Sequence, residues 1–216
     1  SDWANNVDNA NNIGSKKTID IMDSPLVFEL INLDLKRIKI TGGVLHKILR
    51  APVFDSNGKR ILSGHSDTVS IDMLKQLPNT IANPSAIFSA DNGQKIIIIT
   101  EVIGLNGKPI MMPILLNKYN NRGDYHVVQS YYARNTNIAY YDLLLGGDLI
   151  YINKERLSNN PENQPPWLGG IKLSRSFINS IPNEKDLDNL RKKHNYQYYQ
   201  SAWHGSPYDF DEFDLG

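Results

Sequence analysis

Four strand-like runs follow one another closely in this chain: Ala86–Ser89, Lys95–Gly104, Pro109–Leu116 and Tyr125–Tyr132, joined by turn signals. Runs so close in sequence pair most simply as an antiparallel meander, since parallel neighbours need a long crossover. Asn106-Gly107 reads as a type I′ hairpin turn, in which both central residues take positive φ. The run Ile96-Ile97-Ile98-Ile99 lacks the alternation of a half-exposed strand and predicts a central strand covered on both faces.

Helical patterns surround this sheet. Ser24-Pro25 reads as a Ser N-cap with Pro at the first helical position, ahead of Val27, Leu30 and Ile31. Ile38 and Ile40 alternate with Lys39 as a short strand, and Gly42-Gly43 opens a short helix over Val44 to Leu49. Residues 51–67, with Asn57-Gly58 and Ser63-Gly64, read as a long loop or hairpin. A Ser-capped helix runs from Ser70 to Leu77, where Pro78 can end it. Beyond the meander come a helix over Ile138–Leu145, a strand Leu149–Ile152, a loop over 157–170, a helix Glu184 to His194 capped by Asn183, and an aromatic run Tyr196–Trp203. Helices first, then a meander, predict an α+β domain: N-terminal helices packed on an antiparallel sheet of about four to five strands. Residues 1–17 are rich in Asn, Asp and Ser, with few large apolar groups, and read as a flexible arm.

Composition narrows the chemistry. With no cysteine, disulfides, Cys-type zinc sites, iron–sulfur clusters and thiol catalysis are excluded. The longest apolar run is far short of the roughly 20 residues of a membrane-spanning helix. Twenty-three basic residues balance 23 acidic ones, so no global field marks a nucleic-acid binder. Four of those acids lie in the last twelve residues, which hold no base and leave the remainder at +4. The chain opens without Met or a signal-peptide pattern and stops abruptly, which reads as a fragment. The zinc-protease, P-loop, dinucleotide and serine-hydrolase motifs do not occur.

The residues left to carry chemistry sit in unusual places. Along the last long run, His126, Val128, Ser130 and Tyr132 share one face, and Arg134 follows at its end. Glu101 interrupts an apolar strand, where a buried carboxylate needs a partner. His65 lies in a loop of small residues, and Lys154 follows the strand that holds Tyr151. RNA cleavage without a metal needs a base for the 2′-hydroxyl, an acid for the departing 5′-oxygen, and cations or hydroxyls for the phosphate. His65, Glu101, Ser130, Arg134 and Lys154 supply those types, if the fold converges them.

From about Thr18 to Glu155 the chain resembles the C-terminal domain of phage MuF-type proteins. The landmarks are Ile38-Lys39-Ile40-Thr41, Val44-Leu45-His46-Lys47-Ile48, His65 ahead of Leu74-Lys75-Gln76-Leu77-Pro78, Ile81-Ala82-Asn83-Pro84, Ile98-Ile99-Thr100-Glu101 and Leu149-Ile150-Tyr151-Ile152-Asn153-Lys154. That family is grouped with the nuclease-like toxin domains of phage polyvalent proteins, whose proposed fold resembles the barnase, EndoU, colicin E-type and RelE (BECR) group. The resemblance implies a metal-independent endoribonuclease with no cofactor. Its catalytic candidates are His65, Glu101, Ser130, Tyr151 and Lys154, with His126, Tyr132 and Arg134 binding substrate. Residues 50–64 depart from the pattern as an insertion just before His65. The run Trp203-His204-Gly205 to Asp214 resembles the opening of a polyvalent-protein ADP-ribosyltransferase domain, in which His-Gly contacts NAD; here His204 and Gly205 would be remnants.

The expected organisation is therefore an arm at 1–17, a MuF-C/BECR-like nuclease domain at 18–158, a loop and helix at 159–197, and a truncated transferase-like start or acidic tail at 198–216. The implied partners are RNA, such as a tRNA, and an immunity protein; the protein would be a monomer with no membrane association. It would travel in a phage particle, or be secreted or delivered, and act in the bacterial cytoplasm. Two alternatives stay open: a non-catalytic binding module of a phage head-associated polyvalent protein, and part of an ADP-ribosyltransferase effector. Convergence of His65, Glu101, Ser130 and Lys154 in one cleft favours catalysis; scattered positions favour binding.

Overall fold

The computed structural model describes residues 2–120, 123–134, 149–154 and 179–193. Its centre is the expected meander. Strands β1 (Thr18–Asp23) and β2 (Arg37–Thr41) precede it; β3 (Val53–Phe54) and β4 (Arg60–Leu62) form a separate hairpin. Then come β5 (Ala86–Ala90), β6 (Lys95–Ile103), β7 (Pro109–Asn120), β8 (Gly123–Val128), β9 (Tyr132–Ala133) and β10 (Leu149–Ile152). Among the described residues the main sheet has eight strands, ordered β1-β2-β8-β7-β6-β5-β10, with β9 also paired to β7.

The α+β class holds, but the sheet is larger than four or five strands and not wholly antiparallel. β2 runs parallel to β8, with Ile38 opposite His126. Hairpin logic constrains only strands adjacent in sequence, and some 80 residues of chain separate β2 from β8, enough for either orientation. The isoleucine run is covered on both faces as expected. Ile96 and Ile98 enter the larger core, whereas Ile99 joins Phe88, Met111 and Ile152 in a second cluster on the opposite face, with Ile97 packed against it. The turn at 104–108 differs from type I′: Gly107 alone takes positive φ there, and Gly104 N–H bonds the Lys108 carbonyl at 2.7 Å.

The α-helices among the described residues are α1 (Asp2–Asp8), α2 (Leu26–Leu30), α3 (Gly42–Leu49), α4 (Ile71–Lys75), α5 (Leu77–Ala82) and α6 (Glu184–Lys193). Thr41 caps α3, Ser70 caps α4, and the Asn183 side chain accepts from Lys185 N–H at the start of α6. Pro78 sits in the first turn of α5, where its missing N–H costs nothing, so it starts a helix as α4 ends. Ser24 does not cap α2; its hydroxyl exchanges hydrogen bonds with the Lys36 backbone, and Pro25 holds the cap position.

Residues 2–13 pack as structure and do not form an arm. Trp3, Val7, Ala10 and Ile13 are all buried, and the Trp3 indole N–H donates to the Leu74 carbonyl at 2.9 Å. A few apolar groups suffice because they share one side of α1 and the turn after it, and a large neighbouring core receives them. The expected helix over Ile138–Leu145, the loop over 157–170 and the run Tyr196–Trp203 lie outside the described residues.

Candidate functional site

Strand alternation decides which residues can meet. Ile96 and Ile98 point into the main core, so Lys95 and Ile97 present to the other face, beside Pro113, the partner of Ile97 across β6–β7. These residues line a cleft of about 770 Å³. The chain leaving β8, with β9 and the residue after it, supplies its second wall. Ile114 pairs with Val128 and Met111 with Tyr132, so three steps along β7 face four along the other strand. The extra residue resets the alternation between 128 and 132. It ends the common face read for His126 through Tyr132, and brings Gln129, Ser130, Tyr132, Ala133 and Arg134 to the cleft.

The third wall is the loop that follows the β3–β4 hairpin. His65 and Ser66 both donate their N–H groups to the Arg50 carbonyl, at 3.1 and 3.2 Å. The His65 carbonyl in turn accepts from Thr68 N–H and Val69 N–H, and Val69 is anchored in the core. Gly64 makes this path possible. A Cβ there would overlap the Arg50 carbonyl oxygen and lie 2.7 Å from the Ala51 carbonyl carbon. Gly104 does the same on the far side, where a Cβ would meet the Thr68 carbonyl oxygen at 2.7 Å and the Ala133 side chain at 2.8 Å.

Within the cleft, His65 Nε2 and Ser130 Oγ are 3.0 Å apart, and both residues are buried. The imidazole stacks on Tyr132, with centroids 4.9 Å apart and planes 18° from parallel. The Arg134 guanidinium lies 5.2 Å from the Tyr132 centroid. Among the described residues, Lys47, Arg60, Lys95 and Arg134 are the lining cations, and Asp67 the lining acid. Burial, then the positive charges of Lys47 and Arg60, lower the His65 pKa to about 4, against the pull of Asp67. The ring is therefore neutral at physiological pH, with one nitrogen able to accept a proton.

His65, Ser130, Tyr132 and Arg134 are thus brought together; the other sequence candidates are not. Glu101 is exposed on β6 and does not line the cleft. Tyr151 is 2% exposed and belongs to the main core, and Lys154, just past β10, is half-buried away from the cleft lining. His126 is 1% exposed and serves the frame. Its Nδ1 accepts from Asn117 N–H at 3.2 Å, which leaves Nε2–H to donate to the Asp34 carbonyl at 2.9 Å, and its ring packs on Phe28. Burial holds its pKa down. His204 and Gly205 lie outside the described residues. Lys47, Phe54, Arg60 and Lys95 were not legible as site residues: the three cations are ordinary surface types, nothing in the sequence says that Phe54 is exposed, and only the fold collects them. Among the described residues no three His, Cys, Asp or Glu side chains are placed to share a metal ion. No described helix is long and apolar enough to cross a membrane.

No curated protein and no solved structure matches the chain. One family model does, and it begins at the end of β4, so α1–α3, β1–β3 and the cleft residues Lys47, Phe54 and Arg60 precede it. Residues 62–159, which contribute His65, Ser130, Tyr132 and Arg134, match the model of the phage MuF-C-terminal domain, and this segment is similar to that phage domain.

Proposed function

We propose that this protein is a toxin-type effector that cleaves RNA without a metal ion, with His65 and Ser130 as its reacting pair. The observation that carries the reading is the 3.0 Å contact between His65 Nε2 and Ser130 Oγ in a cleft with four cations and one acid. Such a surplus of positive charge suits phosphate, and a neutral imidazole beside it suits proton removal.

In the proposed reaction Ser130 Oγ takes the 2′-hydroxyl proton as its own proton passes to His65 Nε2. The 2′-oxygen attacks phosphorus and the bond to the 5′-oxygen breaks. Water protonates the departing oxygen, and the resulting hydroxide takes the proton from the imidazolium. The products are a 2′,3′-cyclic phosphate and a 5′-hydroxyl. Lys47, Arg60 and Arg134 offset the charge that grows on the phosphoryl oxygens. A bound phosphate also counters the cations that depress the His65 pKa, so the base strengthens when substrate is present.

Incubating total bacterial RNA with the protein in EDTA, and mapping the product ends, tests this. Cyclic phosphate ends that vanish with His65→Ala and Ser130→Ala are expected. RNA left intact in both EDTA and magnesium would sink the reading. A second reading, a binding module without catalysis, draws on a different observation: Glu101, Tyr151 and Lys154 stand away from the cleft, so no second side chain is assigned as proton donor. RNA retained uncut by the wild-type protein would favour it. An immunity protein as partner and action in the bacterial cytoplasm belong to the same proposal and rest on the phage relationship of residues 62–159.

A further inference from the structure

The β3–β4 hairpin is an anomaly for a structural element. It is a separate two-stranded sheet, a form of marginal stability in water, yet four of its five strand residues are apolar and exposed: Val53, Phe54, Ile61 and Leu62. Val53 lies opposite Leu62, so apolar groups stand exposed side by side on this small element, and exposed apolar surface of that kind can mark a binding site. The hairpin is nevertheless carefully held. Asp55 Oδ1 accepts from Asn57 N–H at 2.9 Å and Lys59 N–H at 2.8 Å, and Gly58 supplies the positive φ of the turn. Arg60 reaches Asp67 at 3.4 Å, and the Arg50 guanidinium donates to the Ser63 carbonyl at 2.6 Å.

Phe54 is the member that reaches the cleft. It is 50% exposed, pairs across the hairpin with Arg60, and has that guanidinium 5.4 Å from its ring centroid. Both residues line the cleft that holds His65 and Ser130. Tyr132 cannot play the same part, because its ring is already stacked on His65 and attended by Arg134.

We propose that Phe54 and Arg60 form a platform for one unpaired nucleobase, and that the substrate is therefore single-stranded. The proposal deepens the RNA-cleavage reading and rests on it. An exposed aromatic face beside a guanidinium is the pair that single-strand binders use: the ring stacks on the base, and the cation serves the adjoining phosphate. Duplex RNA offers no free base face and presents a deep major groove that side chains do not read, so it gains nothing from Phe54. Charge favours nucleic acid over a protein as the occupant, since Lys47, Lys95 and Arg134 share the cleft. All of the hairpin except Leu62 precedes the matched family segment.

The test uses the full chain and fluorescently labelled RNA carrying 2′-O-methyl groups, which binds but lacks the attacking hydroxyl. Anisotropy titrations compare a short single strand with a blunt duplex, for wild type, Phe54→Leu, Phe54→Trp and Arg134→Ala. The single strand should bind tighter than the duplex. Phe54→Leu should weaken the single strand about tenfold and leave the duplex unchanged, while Phe54→Trp stays within about twofold of wild type. Phe54 is half exposed, and matching melting curves will exclude misfolding. If Phe54→Leu binds like wild type while Arg134→Ala loses affinity, the RNA reading stands and the platform falls. If wild type binds neither RNA, both fall together. If the chain self-associates and Phe54→Leu makes it monomeric, the hairpin is a protein interface and the platform is overturned.

Discussion

Replacing His65 by asparagine should flatten the acid side of the protein's stability curve. The ring titrates near its ordinary 6.5 in the unfolded chain and at about 4 in the folded one, because burial and then the charges of Lys47 and Arg60 oppose its protonation. Between those values the unfolded chain binds a proton that the folded chain refuses. Stability therefore falls as pH drops through 6.5, and the loss from this site is complete near pH 4. A separation of about 2.5 units corresponds to about 3 kcal/mol. His65→Asn removes the titrating ring, so it should cost stability at pH 7.5 through the Ser130 contact, yet gain about 3 kcal/mol relative to wild type by pH 4. Urea unfolding of both proteins at pH 7.5, 5.5 and 4 measures this directly. The other titrating groups, His126 among them, are common to both and cancel in the difference. A wild-type-minus-variant difference that does not change with pH would mean that His65 is solvated with an ordinary pKa, and the description of the cleft would be wrong.

Three further outcomes follow from named contacts. Gly64→Ala should destabilise the protein by about 1–3 kcal/mol, since its Cβ meets the Arg50–Ala51 backbone, a wall that cannot yield like a side chain; urea unfolding reads the loss, and a neutral result would remove the argument for a forced path into His65. Trp3→Ala should cost about 3–5 kcal/mol, the range for a large buried aromatic, where an arm would lose nothing; a melting curve decides between them. The double variant Lys47→Ala, Arg60→Ala should raise the His65 pKa, seen as an upward shift of its imidazole titration by NMR, because both cations oppose protonation; no shift would show that these two charges do not act on the ring.

The site candidates divide along a physical line. His65 stood out in a loop of small residues and Ser130 on a strand face shared with His126 and Tyr132, and the fold does bring them into contact. His126 stood out on that same face and Tyr151 through the family resemblance, but both answer a structural need: one bridges Asp34 and Asn117 backbone groups, the other fills the core. A polar group inside a strand signals that something must satisfy it, and the partner can be backbone as readily as substrate.

Local physics set much of this chain from its sequence alone. The apolar run Ile96–Ile99 demanded cover on two faces, Ser70 and Asn183 placed helix starts, and turn residues divided the meander into β5, β6 and β7. Each depends on neighbours within a few residues, which is the range over which hydrophobic period and capping act. Tertiary structure decided the rest. The parallel seam between β2 and β8, the burial of Trp3 under Leu74, the extra residue between Val128 and Tyr132, and the gathering of Lys47, Phe54, Arg60 and Lys95 around His65 all join segments distant in sequence. No local preference selects such contacts; they form because burying the two sheet faces leaves few arrangements of the connecting chain, and the cleft lies where those connections meet.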